Sequence, residues 1–407
     1  MGCSSSDTGG KSSKTDPLKD IPDGDGNTDK PERVIRAQLE NFITLEGHQE
    51  IVYYVTIFKY KKKDEDKEEE YIASCSGDNT IKIWSLNETT NLIVTLEGHE
   101  KPVTCLMEAK YQGTNVLLSG SKDETIKVWS PFEPKPVEVK PIQQEEIKEN
   151  KDNKDNKDNK DNKAEDAKVE AEKKPLIIIK QSEEPKNEKK LFTLRGHRNG
   201  VLCLGSYMTK DSVVVASGSS DSTIILWNLE KSEKKWMVLR GSEGSVYCLA
   251  NARMGNELLL VSGSTLTLKL WKPLAKKELV MSLEGHTSYI FCVCAFSAFN
   301  QDVIASGSKD GTIKIWNPNK KDRLILSIDA HEYDVNSLYT IILNNERVLI
   351  SAGLDALVKI WNFALDDKLI MTLKGHEYGV TCVTSMKYKG LDVIVSSSVD
   401  FTVKVWK

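Results

Sequence analysis

Apolar residues along this chain come in short bursts. The stretches "LIVTLEGH", "LVMSLEGH" and "LIMTLKGH" each run through a few apolar and β-branched residues and then stop at a glycine, the pattern of a short strand ending in a turn. "VIASGSKDGTIKIW" predicts two strands, Val303 to Ser306 and Thr312 to Trp316, joined by a tight turn in which Asp310 and Gly311 suit hairpin geometry. The layout returns along the chain. Strand segments lead into turns at Gly47, Gly98, Gly196, Gly241, Gly285, Ala330 and Gly375, and a strand ending in tryptophan follows each. Wholly apolar runs such as Leu176 to Ile179 fall far short of the roughly eighteen residues that a membrane-spanning helix needs.

The rhythm has a fixed period. Trp227, Trp271, Trp316, Trp361 and Trp406 recur at steps of 44, 45, 45 and 45. Five of the six histidines follow a glycine, and the sixth, His331, follows Ala330. His99, His197, His286, His331 and His376 each precede an aspartate by 24 residues (Asp123, Asp221, Asp310, Asp355, Asp400) and a tryptophan by 30 (Trp129, Trp227, Trp316, Trp361, Trp406). His48 pairs likewise with Asp78 and Trp84, offset by six extra residues. Ten residues before six of the tryptophans stands a serine: Ser74, Ser119, Ser217, Ser306, Ser351 and Ser396. Serine, histidine and aspartate together raise the question of a nucleophile. A nucleophile needs one pocket, one activated base and one oxyanion site, and this set occurs six times. Repetition predicts a structural role, with a buried imidazole satisfied by an acid and a hydroxyl.

A Gly-His step, an Asp 24 residues on and a Trp six later resemble the WD-repeat β-propeller family, whose blades run about 40 to 45 residues. The resemblance covers Asn41 to Lys407 apart from one insertion. The residue after the tryptophan is Ser85, Ser130, Asn228, Lys272, Asn317, Asn362 or Lys407, never Asp. The resemblance implies an all-β fold, a seven-bladed β-propeller of four-stranded antiparallel blades, each tied together by a hydrogen-bonded His, Asp, Ser and Trp set. The repeats begin with an outer strand, Asn41 to Leu45, and stop one residue after Trp406. The first segment is therefore expected to pair with the last blade and close the ring. One blade departs: Ser242 stands where the His belongs, and a shortened "SGSTLTLKLW" leaves Thr265 in place of the Asp. Losing both partners together strands neither. The blade from Ser245 to Leu283 is expected to open most easily. In the family, the end bearing the Gly-His loops and Asp turns is the commonest docking surface. Its rim here falls on Tyr53, Lys122, Tyr247, Tyr289, Phe291, Lys309, Asp334 and Asn336, aromatic anchors with nearby charges.

Composition narrows the function. The net charge is −4, with 29% charged and 39% apolar residues, and no basic face stands out, so neither DNA nor RNA is an expected partner. Cys105, Cys203, Cys248, Cys292 and Cys382 all stand six residues after the His position and are read as small buried groups. Cys292 and Cys294 share a face but have no His beside them and no four-ligand set, so no metal and no cofactor are expected. The N-terminus lacks the apolar core of a secretory signal, so the chain is expected on the cytosolic side with reduced thiols.

Three stretches lie outside the repeats. Residues 131–190 hold four "KDN" units from Lys151 to Asn162, with fifteen lysines against sixteen acids, and are expected to be a disordered insertion within the propeller. "PLIIIK", Pro175 to Lys180, is its apolar exception. A second charged insertion, Lys59 to Tyr71, is expected to lengthen a hairpin of the first blade. Residues 1–40 form an expected disordered tail that opens "MGCSSSDTGG", where Gly2 with Ser6 fits N-myristoylation and Cys3 is placed for a palmitate. One myristoyl chain holds a membrane only weakly, on the order of 10⁴ M⁻¹. The tail's six basic and eight acidic residues form no polybasic patch, which leaves Cys3 as the second anchor. "GGKSS" lacks the first glycine of a P-loop, and "DGDGN" lacks the Gly and Glu of a calcium loop.

These readings converge on a non-enzymatic, membrane-tethered scaffold or adaptor, expected to be cytoplasmic and, if lipidated, to sit at the cytosolic face of a membrane, the plasma membrane first. It would bind other proteins or peptides on the Gly-His face, with no nucleic acid and no small-molecule substrate. The alternatives are a propeller subunit of a signalling or ubiquitin-ligase-type complex, either G-protein β-like or a substrate receptor, and an enzyme using the central channel. A G-protein β-like subunit would want a long N-terminal coiled coil, whereas "PERVIRAQLEN", Pro31 to Asn41, has room for about two or three helical turns. A channel enzyme would need a unique polar cluster, and every His is spent on the repeat.

Overall fold

Strands form where the β-branched bursts lie, and they stop where glycine or an Asp turn interrupts them. The computed structural model describes residues 41–61, 68–87, 91–132, 189–209, 212–231, 234–273, 275, 278–298, 301–343, 346–363, 365 and 368–407. The expectations for the tail, including Gly2 and Cys3, and for residues 133–188 lie outside the described residues.

Seven four-stranded antiparallel sheets make up a seven-bladed β-propeller. The chain enters with β1 (Asn41–Leu45). The first blade is β2 (Val52–Lys61), β3 (Glu68–Ser76), β4 (Ile81–Trp84) and β5 (Leu92–Leu96). The second is β6 (Val103–Tyr111), β7 (Thr114–Ser121), β8 (Thr125–Trp129) and β9 (Lys190–Arg195). In the third are β10 (Val201–Met208), β11 (Val213–Ser219), β12 (Ile224–Trp227) and β13 (Lys235–Leu239). The fourth has β14 (Cys248–Met254), β15 (Glu257–Gly263), β16 (Thr267–Trp271) and β17 (Leu279–Glu284). The fifth has β18 (Ile290–Ala298), β19 (Gln301–Ser308), β20 (Thr312–Trp316) and β21 (Leu324–Asp329). β22 (Val335–Leu343), β23 (Glu346–Gly353), β24 (Val358–Trp361) and β25 (Leu369–Leu373) form the sixth. The seventh is β26 (Val380–Tyr388), β27 (Leu391–Ser398), β28 (Val403–Trp406) and, as its outer strand, β1.

β1 pairs antiparallel with β28, setting Asn41 opposite Trp406 and Leu45 opposite Val403. Lys404 Nζ donates to Thr44 Oγ1 at 3.1 Å across the same junction. The ring closes with no open edge between the last blade and the first. The leading strand of each blade (β2, β6, β10, β14, β18, β22 or β26) packs against those of its two neighbours, which places these seven around the axis.

Blades grip one another through a cross-strand pair. In the fifth blade Cys292 stands opposite Gly307, and its thiol donates to the Val335 carbonyl of the sixth blade at 3.5 Å. Val335 fills the space a side chain at 307 would need: a Cβ there would lie 2.6 Å from both Cys292 Sγ and Val335 Cγ1. Cys105–Gly120, Cys203–Gly218 and Cys248–Gly263 repeat the pairing.

Because strand direction alternates within a blade, every connection from an odd-numbered to an even-numbered strand lies at one end of the ring. These carry the His loops and Asp turns. Connections from even to odd lie at the other end, together with Asn41 and Lys407. The first-blade insertion falls in the β2–β3 hairpin, whose β2 runs ten residues. The larger insertion is narrower than 131–190. Phe132 packs in the core, its ring 4.4 Å from Tyr60 and 4.8 Å from Tyr71, and Lys190 already opens β9 opposite Trp129. Apolar burial at one margin and ladder pairing at the other draw these residues into the propeller.

Candidate functional site

In the fifth blade, His286 Nδ1 lies 2.9 Å from Asp310 Oδ2 and Nε2 lies 2.8 Å from Ser306 Oγ. Trp316 Nε1–H donates to the same Oγ at 2.8 Å. The structure brings together all six predicted sets. Distances of 2.6–2.9 Å join His48 to Asp78, His99 to Asp123, His197 to Asp221, His331 to Asp355 and His376 to Asp400. One tautomer satisfies every group: Nδ1–H donates to the carboxylate, Nε2 accepts from serine, and the serine oxygen accepts from tryptophan.

A fifth member escaped the sequence reading. The threonine four residues before the tryptophan (Thr80, Thr125, Thr223, Thr312 or Thr402) donates its hydroxyl to the second carboxylate oxygen at 2.6–2.7 Å. Its fixed spacing was the available signal. The backbone N–H after each histidine completes the cradle, as Thr287 N does on Asp310 Oδ2 at 3.0 Å.

The electrostatics follow from burial. Burial pushes the Asp310 carboxyl upward, but donors from Thr312, Thr287 and His286 outweigh it and hold the group well below the usual carboxylate range. By the same balance Asp221 sits at about 2. Burial lowers His99, His197 and His286, and their aspartates only partly offset it. These three pairs are therefore neutral imidazole with carboxylate. All six serines are fully buried at 0% exposure, so no substrate reaches these oxygens. They are not nucleophiles. Burial likewise pushes the Cys105, Cys248 and Cys294 thiols up to about 12, far from reactive thiolates.

The fourth blade replaces what it lost. Trp271 Nε1–H still donates to Ser262 at 2.8 Å, because the shorter turn keeps Ser262 opposite Lys269. Lys269 Nζ lies 2.5 Å from the Gly241 carbonyl, as Lys359 Nζ lies 2.6 Å from the Ala330 carbonyl in the sixth blade, and here it also meets Glu243 Oε1 at 2.9 Å. Thr265 donates to the Glu243 carbonyl at 2.7 Å. Thr267, the counterpart of the cradle threonine, has a buried hydroxyl with no hydrogen-bond partner.

The predicted rim divides into two groups. Lys122 Nζ sits 5.4 Å over the Tyr53 ring on the first two blades. Across the fourth to sixth blades, Tyr247 packs 5.3 Å from Phe291 and 5.6 Å from Tyr289, and Lys309 Nζ lies 5.9 Å over Tyr289. Burial raises Asp334, and Lys309 opposes it. Asn336 points elsewhere, donating its amide to the Val380 carbonyl at 2.9 Å. Sequence reasoning missed Tyr333, Leu354, Tyr378 and Phe401, large apolar side chains exposed at the same end, Tyr378 at 61%. Phe401 also holds a left-handed φ of 69°, a strained conformation for a bulky residue. The odd-to-even connections hold six basic and fifteen acidic residues, so this aromatic surface sits in an acidic field.

Repeats of the WD domain, G-beta repeat family match residues 40–85, 90–130, 188–228, 277–317, 322–362 and 367–407, and the chain belongs to that family. The blade left unmatched is the fourth. The crystal structure of the WD40 beta propeller domain of Doa1 superposes with a TM-score of 0.63 at 19% identity, covering 91% of this chain and 97% of that one, which speaks to fold alone. Curated relatives match over single stretches. The protein transport protein sec13 of Emericella nidulans is 32% identical over 88 residues, 21% of this chain and 26% of that protein. The nuclear distribution protein PAC1 of Candida albicans is 41% identical over 76 residues, 19% and 14% of the two chains. The peroxisomal targeting signal 2 receptor of Mus musculus is 29% identical over 66 residues, 16% and 21%. The matches span about a quarter or less of these relatives.

Proposed function

We propose that this protein is a membrane-tethered scaffold that binds protein partners on the His-loop end of its propeller and acts by binding, not catalysis. The observation that carries the reading is the aromatic surface formed by Tyr247, Tyr289, Phe291, Tyr333, Tyr378 and Phe401 at that end, where neither insertion nor the tail joins the ring. Tyr289, Tyr333, Tyr378 and Phe401 are exposed, Tyr247 and Phe291 are half-buried against Tyr289, and aromatic side chains of this kind are the composition of interface anchors. An acidic surround suits a partner segment that is apolar with basic flanks. The names of the relatives, a transport, a distribution and a targeting-receptor protein, suit such a role. The tether is the acylated tail, myristate on Gly2 and palmitate on Cys3.

The test is affinity capture with the Tyr247→Ala/Phe291→Ala double variant, which is expected to lose its partners while keeping its melting temperature and membrane fraction. Retention of every partner, with loss on deleting residues 135–188, would move the binding element to the insertion. For the tether, Gly2→Ala is expected to shift the protein to the soluble fraction and Cys3→Ser to leave transient association. Unchanged fractionation of both would place the anchor elsewhere.

A further inference from the structure

The net charge of −4 conceals a polarity that the fold exposes. The described even-to-odd connections, with Lys407, hold ten basic residues and three acidic ones, the reverse of the His-loop end. Adding the undescribed residues of these connections, apart from 133–188, leaves sixteen basic against eleven acidic. Residues 133–188, with thirteen lysines and sixteen acids, and the tail, with six basic residues and eight acidic, join the same end, so the basic excess belongs to the ring's own connections. No basic face was visible along the chain because these lysines and arginines lie on separate connections, interleaved with the acidic loops of the other end. The ring gathers them.

The same end displays large apolar side chains at its turns. Met208 and Val213 flank the β10–β11 turn at 61% and 62% exposure, and Ile342 and Leu391 stand beside two further hairpin turns. Leu391 lies two residues from Lys389, and Phe42 carries Lys407 Nζ 5.5 Å from its ring. Lysines around protruding apolar tips suit one kind of surface. Anionic headgroups attract the cations, and the headgroup–acyl boundary accepts the apolar tips. A nucleic acid would engage the cations and leave Met208, Val213, Ile342 and Leu391 in water.

We propose that the even-to-odd end of the propeller is itself a docking surface for an anionic lipid bilayer, engaged by Lys320, Lys321, Lys368 and Lys389 with insertion of Met208 and Leu391. The proposal deepens the reading of a membrane protein but does not rest on acylation. Residue 41 enters the ring at this end, so a lipidated tail and a basic face would meet one bilayer, while the acidic, aromatic end would be turned from it by charge.

The experiment uses the full unacylated chain and vesicles of phosphatidylcholine with or without 30 mol% phosphatidylserine. Sedimentation is expected with the anionic vesicles alone, to fall as salt rises from about 0.05 to 0.5 M, and to weaken at least tenfold in Lys320→Glu/Lys368→Glu/Lys389→Glu. Met208→Gln/Leu391→Gln is expected to weaken it severalfold, with melting temperatures unchanged in both variants. Absence of binding to either vesicle, equal binding to both, or full binding by the charge variant overturns the proposal. Tight binding to a duplex oligonucleotide that ignores the Met208 and Leu391 changes, with no vesicle binding, makes the face a nucleic-acid surface instead. Fractionation of Gly2→Ala in cells reports on the tether separately, so failure of one reading is distinguishable from failure of the other.

Discussion

Replacing His286 by alanine removes two hydrogen bonds whose worth differs. The Nδ1–H bond to Asp310, at 2.9 Å, is charge-assisted and contributes about 1.5–3 kcal/mol, and the bond with Ser306, at 2.8 Å, contributes about 0.5–1.5 kcal/mol. Asp310 is not wholly stranded, because Thr312 and the Thr287 N–H still hold it. The expected loss is therefore about 2–4 kcal/mol. For the roughly 290 described residues, an unfolding entropy of about 2.1 cal/mol/K per residue gives about 0.6 kcal/mol/K, so Tm should fall by about 3–7 °C. Asp310→Ala should cost at least as much, since it unseats His286, Thr312 and the Thr287 N–H at once. The double variant should be less damaging than the two losses combined, by a coupling of about 1.5–3 kcal/mol. Calorimetry measures the cycle, and hydrogen exchange shows whether the fifth blade alone has loosened. A strictly additive cycle, or an unchanged Tm in His286→Ala, would refute the claim that this pair holds the loop to the turn.

Gly307→Ala should destabilise by about 1–3 kcal/mol through overpacking against Cys292 and Val335, with partial recovery on adding Cys292→Ala. A neutral Gly307→Ala in thermal melts would mean the blades do not grip there. Stability should also fall with acid. His99, His197 and His286 are depressed in the fold, so their contribution is complete above about pH 6.5 and lost as pH drops towards their folded values; the depressed aspartates then lose theirs below about pH 4. Both slopes have the same sign, and a Tm that rises between pH 7 and pH 5 would contradict the assignment.

Much of the ring was legible because its repeat is written in residue types with few substitutes. Only an imidazole offers a donor and an acceptor on opposite edges, so His, Asp and Ser kept their spacing and could be read. Thr312 and its counterparts went unread although equally periodic, because threonine is common in strands for other reasons. The Lys269 substitution could not be foreseen. It depends on how a lysine two residues before a tryptophan, a position filled alike in most blades, bends: Lys82, Lys314 and Lys404 reach a hydroxyl on the outer strand, whereas Lys269 and Lys359 reach the carbonyl just before the His position. The exposed Tyr333, Tyr378 and Phe401 and the opposed charges of the two ends were equally hidden. They require knowing which loops share an end, and that is a property of strand direction rather than of any local pattern.

The pairing of β1 with β28 sets a timetable for synthesis. Thr44 and Lys404, which meet across the junction, are 360 residues apart. At about 5–20 residues per second, β1 waits some 20–70 s for its partner. Through that interval β1 is a short strand with unpaired N–H and C=O groups, and the first blade has no seventh neighbour. Six blades can stack as they emerge, each on the one before. The ring as a whole becomes one cooperative body only when residues 403–406 arrive. A chain cut short before residue 403 would carry an open seam, recognisable to proteases by both of its edges.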